Sequence, residues 1–305
     1  MTWTYAAPLI LVWWNTSLSP PVPKRKATEA DLAFVVKQVR EIYEQTGFDI
    51  LALGEVCSDD LAAIVEGMGA KHFSVHDATD RTSRRMFDTA VIYDTRKVEF
   101  RSNRSVADTY GRKTLKTGEV VTFRTVQTDD LFQLVVSHWP SRITVPEFDA
   151  SRAELGTALR RSIESMQDEG AAPYTILLGD YNDEPFSRSL ADHLLATRDR
   201  ALARRDGRYF YNPFWKSIGE SHDGPEDHES GICGTHFYPN GNSSRWFTYD
   251  QIIFSSEFLS GKAMSLNEQL CTILVPPTLR SKLLARREIF DHLPVLGTVE
   301  LRSKT

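Results

Sequence analysis

The chain has 305 residues, 41% of them hydrophobic and 25% charged, with a formal net charge of −5. That length and composition suit one large or two ordinary globular domains and exclude a disordered or fibrous chain. The acidic balance argues against a partner held by a basic field over the whole surface, while a local basic groove stays open.

Met1 to Tyr5 lacks the basic start and small-residue cleavage site of a secretory signal. The apolar run Leu9 to Trp14 is too short to span a bilayer and reads as a strand buried on both faces, closed by Asn15. Ser19 to Pro23 is proline-rich and can be neither helix nor central strand. Thr28 and Asp31 signal a helix start, and Leu32, Val35, Val36, Val39, Ile42 and Tyr43 keep helical spacing to about Gln45. Gly47 ends that helix, and Ile50 to Leu53 is the next buried strand, terminating at Gly54-Glu55. An amphipathic helix from about Asp59 to Met68 precedes strand-like pieces at His72 to Val75, Thr89 to Tyr93, Val98 to Arg101 and Val120 to Gln127, which suggest an antiparallel meander. Leu131 to His138 is a strand with its polar residue last, and Leu155, Leu159, Ile163 and Met166 mark a helix over about 151–169. Tyr174 to Leu178 is a strand that stops at Gly179-Asp180-Tyr181-Asn182, with further strands at Phe247 to Phe254 and Gly297 to Leu301. Helices alternating with strands, together with hairpin-like strands, predict mixed sheets. No linker or repeat interrupts the chain, so a single domain over 1–305 is expected.

Cys57, Cys233 and Cys271 are few, odd in number and far apart, as in a protein with reduced thiols, and no pair of them has zinc-site spacing. A cytoplasmic location is the expectation.

The recurring pattern is an apolar strand that ends in one ligand-capable side chain: Asn15, Glu55, His138, Asp180, Asp250, and the pair Asp291-His292. Phosphate-ester hydrolysis needs a divalent cation, an oriented water, and a group to neutralise the leaving oxygen. Hard oxygen donors such as Asn15, Glu55, Asp180 and Asp291 suit Mg2+ or Mn2+. In their order along the chain these residues resemble the endonuclease/exonuclease/phosphatase superfamily, the DNase I-like phosphoesterases, over nearly the whole sequence. Gly179-Asp180-Tyr181-Asn182 is similar to the family's G-D-F-N, and Asp291-His292-Leu293-Pro294-Val295 to its terminal S-D-H-x-P-V, with Phe290 in place of serine.

The resemblance implies a four-layer α/β sandwich, two mixed β-sheets packed face to face and flanked by helices. It also implies Glu55 and Asp291 as metal residues with Asn15 in support, and Asp180 as the group that orients or deprotonates water. Asn182 would hold a phosphoryl oxygen or that water, and His292 would act as acid/base braced by Asp250. His138 would be a cationic phosphate contact of the kind found in DNase I-like nucleases, inositol-phosphate phosphatases and sphingomyelinases. A further acidic residue beside His138 is implied as well, yet nothing between Tyr93 and Glu119 marks it. Arg84, Arg85 and Arg112 are candidates for a phosphate clamp.

Substrate choice should lie in the connecting loops. Tyr209 to Trp215 is densely aromatic and follows the arginines at 198–208, a composition that suits stacked bases beside a phosphate backbone, or equally a packed core flank. Arg142, Arg208, Tyr211, Trp215 and Trp246 are the substrate-binding candidates. His222, His228 and His236 have no compact metal spacing. The expected activity is a metal-dependent phosphodiesterase acting on nucleic acid, a DNase or endonuclease. The alternative is a phosphoesterase for a small molecule such as an inositol phosphate or a phospholipid head group, and a catalytically dead binding module is the third reading.

Overall fold

The computed structural model describes residues 3–19, 27–78, 89–110, 113–170, 172–219, 232–241, 244–285 and 288–304. Pro20 to Pro23, Arg81, Arg84, Arg85, Arg112, His222, His228, Arg286 and Arg287 lie outside them.

Successive side chains of a strand point to opposite faces, so a strand that is apolar throughout must be covered twice. Strand Leu9–Asn15 shows this: Leu9, Leu11 and Trp13 enter one core while Val12 and Trp14 enter another. The first sheet runs Trp3–Tyr5, Val295–Lys304, Leu9–Asn15, Ile50–Gly54, Thr89–Asp94, Phe73–Asp77, with Met264–Leu266 and Thr272–Ile273 also paired to Val295–Lys304. The second runs Ala196–Thr197, Phe210–Tyr211, Asp250–Phe254, Tyr174–Asp180, Leu131–His138, Lys113–Thr125, Val98–Tyr110. Leu9–Asn15 pairs parallel to Ile50–Gly54, and Leu131–His138 parallel to Tyr174–Asp180, while their outer neighbours pair antiparallel. Both sheets are therefore mixed.

Between the sheets lies one core, in which Leu11, Trp13, Ile50, Ala52 and Val91 face Phe132, Leu134, Val136, Ile176, Leu178 and Ile252. Helices Glu29–Thr46, Ser58–Met68 and Pro277–Leu284 cover the outer face of the first sheet through Val35, Ile64 and Leu279 against Val12, Leu51 and Ile92. Helix Ala150–Asp168 covers the second through Leu155, Leu159 and Ile163 against Val135, Leu177 and Ile253. The result is the four-layer α/β sandwich. Each fully buried Leu- or Ile-sized side chain contributes about 1.5–3 kcal/mol.

Local signals are read where expected. Thr28 and Asp31 form a reciprocal capping box, and Gly47 closes the same helix at φ 61°. Two elements differ from the sequence reading. Strands Val98–Tyr110 and Lys113–Thr125 are much longer than their apolar pieces, because bulges at Phe100/Ser102 and Val106/Ala107 break the period of two. The single strand expected over Phe247 to Phe254 is split: Trp246–Phe247 pairs with His236–Phe237, while Thr248 turns its N–H to Glu184 before Asp250–Phe254 resumes.

Register places the polar strand ends at one edge. His138 and Asp250 both pair with Asp180, and Asn15 pairs with Gly54 next to Glu55. Among the described residues no helix is long and apolar enough to cross a membrane.

Candidate active site

Two hydrogen bonds cross from one sheet to the other at this edge. Asn15 Nδ2 donates to Asp180 Oδ2 at 3.1 Å and to Glu55 Oε1 at 3.3 Å, and Trp13 Nε1 donates to Asp250 Oδ1 at 2.7 Å. The other oxygen of Asp250 meets His292 Nδ1 at 2.7 Å, and Trp14 Nε1 donates to the His292 carbonyl at 3.1 Å. His292 therefore has its ring orientation fixed by a buried carboxylate, with Nε2 turned toward Asp180 Oδ2 at 3.6 Å. His138 Nε2 faces the same oxygen at 3.8 Å and Glu55 Oε1 at 3.6 Å. Ser17 Oγ donates to Asp291 Oδ1 at 2.9 Å.

Backbone geometry is unusual at the same place. Glu55 (φ 54°) and Asn182 (φ 50°) occupy the left-handed region that non-glycine residues seldom adopt, a strain that recurs at functional positions. Gly179 has no alternative, since a Cβ there would run into the Ser137 carbonyl oxygen of the parallel neighbour. Asn182 donates its backbone N–H to Asp180 Oδ1 at 2.8 Å and its amide to the Trp139 carbonyl at 3.0 Å, so it steadies Asp180 and the turn after His138.

The electrostatics follow from burial. Glu55 is pushed up to about 8, first by desolvation and then by the charge of Asp291. Burial also pushes His138 below its ordinary value against the pull of Asp180. Burial opposes protonation of His292 too, but Asp250 and Asp180 overcome it and hold the imidazole well above its usual value. Desolvation works against ionisation of Asp291, while His236, His292 and Ser17 keep its carboxyl well below the usual range.

Three carboxylates, Glu55, Asp180 and Asp291, thus share one pocket, and Glu55 lacks a full counter-charge. An oxygen-rich, anion-crowded set of this kind fits a hard divalent cation. Asn15 presents its N–H to the carboxylates rather than its oxygen, which accepts from Ser17 N at 3.2 Å, so it braces them and the carboxylates themselves are the donors.

The other candidates divide. Arg142 reaches the loop after Asp180, donating to the Asn182 carbonyl at 3.0 Å and to Asp183 at 3.0 Å, with its guanidinium 5.1 Å from the Tyr249 ring centre. Trp215 lies toward the same edge, tilted against the half-exposed Phe186 with Arg198 5.0 Å over its ring. Arg208 instead pairs with Asp206 beside Ser255, at the opposite end of strand Asp250–Phe254 from Asp250, and Tyr211 is core, its hydroxyl on Glu268. Trp246 is buried against Phe237 on the outer side of the first sheet. Arg208, Tyr211 and Trp246 are thus away from the pocket, for composition does not say which face of an aromatic cluster is buried.

Two features went unread, and a third, the loop that carries His236, is marked in the sequence by leading straight into Asp250. Arg152, at 2% exposure, donates to Asp183 and to two carbonyls, although an arginine in a first helical turn reads as solvated. His236 stacks on Tyr249 and lies 4.5 Å, ring to ring, from His292. His138 has Glu55 and Asp180 as its acidic neighbours, while Glu119 pairs with His76 instead of filling the expected mid-chain role. The place of Thr235-His236 just upstream of Asp250 was the available hint.

A family model described as the Endonuclease/Exonuclease/phosphatase family matches residues 25–282. Solved structures of similar fold include the human Nocturnin catalytic domain with bound sulfate (15% identity, 98% of this chain and 97% of that one, TM-score 0.61) and D. rerio TDP2 with a single-strand DNA product (14%, 96% and 99%, 0.59). Another is a mannosyl-6-phosphatase of Bacteroides thetaiotaomicron (13%, 95% and 99%, 0.57). Among curated proteins no sequence match is found.

Proposed function

The chain belongs to the endonuclease/exonuclease/phosphatase family, whose members are phosphoric ester hydrolases, and from this we propose that it is an Mg2+- or Mn2+-dependent phosphodiesterase acting on nucleic acid. The observation that carries the reading is the convergence on Asp180 Oδ2 of Asn15, His138 and His292 at 3.1, 3.8 and 3.6 Å.

Glu55 and Asp291, steadied by Asn15 and Ser17, would hold the cation, which when bound offsets charge on the phosphoryl oxygens. Asp180, fixed by Asn15 and by the Asn182 N–H, takes a proton from the attacking water on its Oδ2. His292, protonated and braced by Asp250, faces that oxygen across a gap of 3.6 Å and gives its Nε2 proton to the charge that develops as the ester breaks. His138 donates a hydrogen bond from the opposite wall. Buried Trp13 and Trp14 close the floor and fix Asp250 and His292, so little reorganisation is needed during the reaction.

A polynucleotide is favoured over a small ester by the lip beside the pocket, where Arg198, Trp215 and Phe186 form a cation and aromatic platform, with stacking worth about 1–3 kcal/mol per base. The D. rerio TDP2 structure with a single-strand DNA product supports this reading. The −5 net charge and the sugar phosphatase among the similar folds favour a small phosphomonoester as the second reading.

The test is incubation with Mg2+ or Mn2+ against plasmid, single-stranded DNA, RNA, bis-p-nitrophenyl phosphate and inositol phosphates, alongside Asp180→Ala. Cleavage of nucleic acid and diester that the substitution abolishes is expected. Phosphate release from monoesters with intact nucleic acid would replace the first reading with the second, and inertness on every substrate would leave a binding module.

A further inference from the structure

We propose that His236, Asp291 and His292 form a second cation site, suited to zinc, whose occupancy turns the phosphoesterase off. This rests on His292 and Asp291 being working residues of the first site. One ligand atom from each residue lies within 4.8 Å of the other two, and the two oxygens of Asp291 face one imidazole each, His236 Nε2 at 3.7 Å from Oδ2 and His292 Nε2 at 3.8 Å from Oδ1. Charge-assisted hydrogen bonds are about 2.7–2.9 Å, so these pairs are too wide to be bonded to each other. Two ligands about 2.0–2.1 Å from one tetrahedral ion stand roughly 3.4 Å apart, close to what is observed.

The ligands are presented on a clamped scaffold. His236 and His292 form a backbone bridge, Phe237 N donates to the Asp291 carbonyl at 2.8 Å, and Leu293 N donates to the Thr235 carbonyl at 2.7 Å. The His236 ring is preset by stacking on Tyr249 at 5.1 Å and an interplanar angle of 22°. Entry is open, since the Asp291 side chain is 41% exposed. Two imidazoles and one carboxylate select a borderline ion such as Zn2+, whereas Glu55 with Asp291 is an all-oxygen set for Mg2+. Ligation takes the Nε2 lone pair of His292, so its proton leaves to solvent and the acid is lost. Asp250 braces Nδ1 of His292, but Nδ1 of His236 has no hydrogen-bond partner among the described residues, which weakens a site about 10–100-fold relative to a fully braced one and makes the block reversible.

The test uses His236→Phe, which keeps the stack and deletes the ligand. Zinc is titrated into the Mg2+-saturated protein with bis-p-nitrophenyl phosphate as substrate, and Co2+ absorption is recorded on both proteins without substrate. A half-inhibitory zinc concentration raised at least about 10-fold, measured against each protein's own zinc-free turnover, and loss of the tetrahedral Co2+ bands in the variant are expected. Equal zinc sensitivity of the two proteins, with inhibition relieved by more Mg2+ in both, or an identical Co2+ spectrum, overturns the proposal. If the wild type hydrolyses nothing, the proposed function fails and the cobalt spectrum still decides the site.

Discussion

Two groups of buried charge hang on the same short segment, three residues apart, and they are built in opposite ways. Asp183 is saturated: Arg142 reaches it at 3.0 Å, Arg152 at 3.2 Å and Ser189 Oγ at 2.5 Å, and Arg152 donates as well to the Pro140 and Val145 carbonyls. Asp180 accepts from Asn15 and from the Asn182 N–H, while its two imidazole neighbours stop at 3.6 and 3.8 Å. Closed networks hold a fold in place, and open ones are held ready for something else to enter.

Substitutions can break this contrast. Asp180→Asn should lower turnover on a phosphodiester by about 10³-fold or more while lowering the melting temperature far less than a cut through the Asp183 network, because relief of one of three crowded carboxylates offsets the one accepted hydrogen bond that a carboxamide cannot make. A melting temperature lowered as far as by a cut through the Asp183 network would erase the distinction. His292→Ala should cost about 10²–10⁴ in turnover with a folded near-ultraviolet spectrum, and near-wild-type turnover refutes its role as acid. Arg152→Met leaves Asp183 with one guanidinium fewer in a dry place, so it should destabilise by about 3–5 kcal/mol in denaturant unfolding, with turnover of the surviving folded fraction little changed.

The smallest effect sharpens the contrast by pH. Glu55 titrates near 8 in the folded chain against an ordinary 4.5, and Glu184 near 7, both raised chiefly by burial. Between those values the folded state binds more protons than the unfolded one, so the stability these groups permit is present below about pH 4.5 and is lost as pH rises toward 8. Thermal melts in chelator should therefore fall by a few degrees from pH 5 to 8, more steeply than in Glu55→Gln, and added Mg2+ should restore more at pH 8 than at pH 6. Parallel slopes for the two proteins count against Glu55 as the under-compensated charge.

Much of this pocket was legible because most of its residues close strands. Asn15, Glu55, His138 and Asp180 each close an apolar strand, whereas Asp250 opens its strand and Asp291-His292 stand just before theirs, which corrects the expected strand-end position of these three; antiparallel pairing brings them to the same edge. The Arg142–Asp183–Arg152 network was not legible, since it joins a loop to a helix that looks solvent-facing, and its meaning appears only with burial. The aromatic segment at 209–215 shows the same limit: Phe210, Tyr211 and Phe214 go inward while Trp215 stays half-buried, a choice made by the strand pairing of Tyr211 with Phe254 and not by composition. His236 depended on a two-strand ribbon, His236–Phe237 with Trp246–Phe247, too short for any periodic signal.

Strand Val295–Lys304 lies between Leu9–Asn15 on one flank and the short strands Met264–Leu266 and Thr272–Ile273 on the other, so the first sheet is completed by a segment that leaves the ribosome some 280 residues after Leu9–Asn15. Asp291 and His292 arrive just ahead of it. A nascent chain therefore carries Glu55, Asp180 and Asp250 well before Asp291 and His292, so the pocket's five groups can meet only once synthesis has passed that strand.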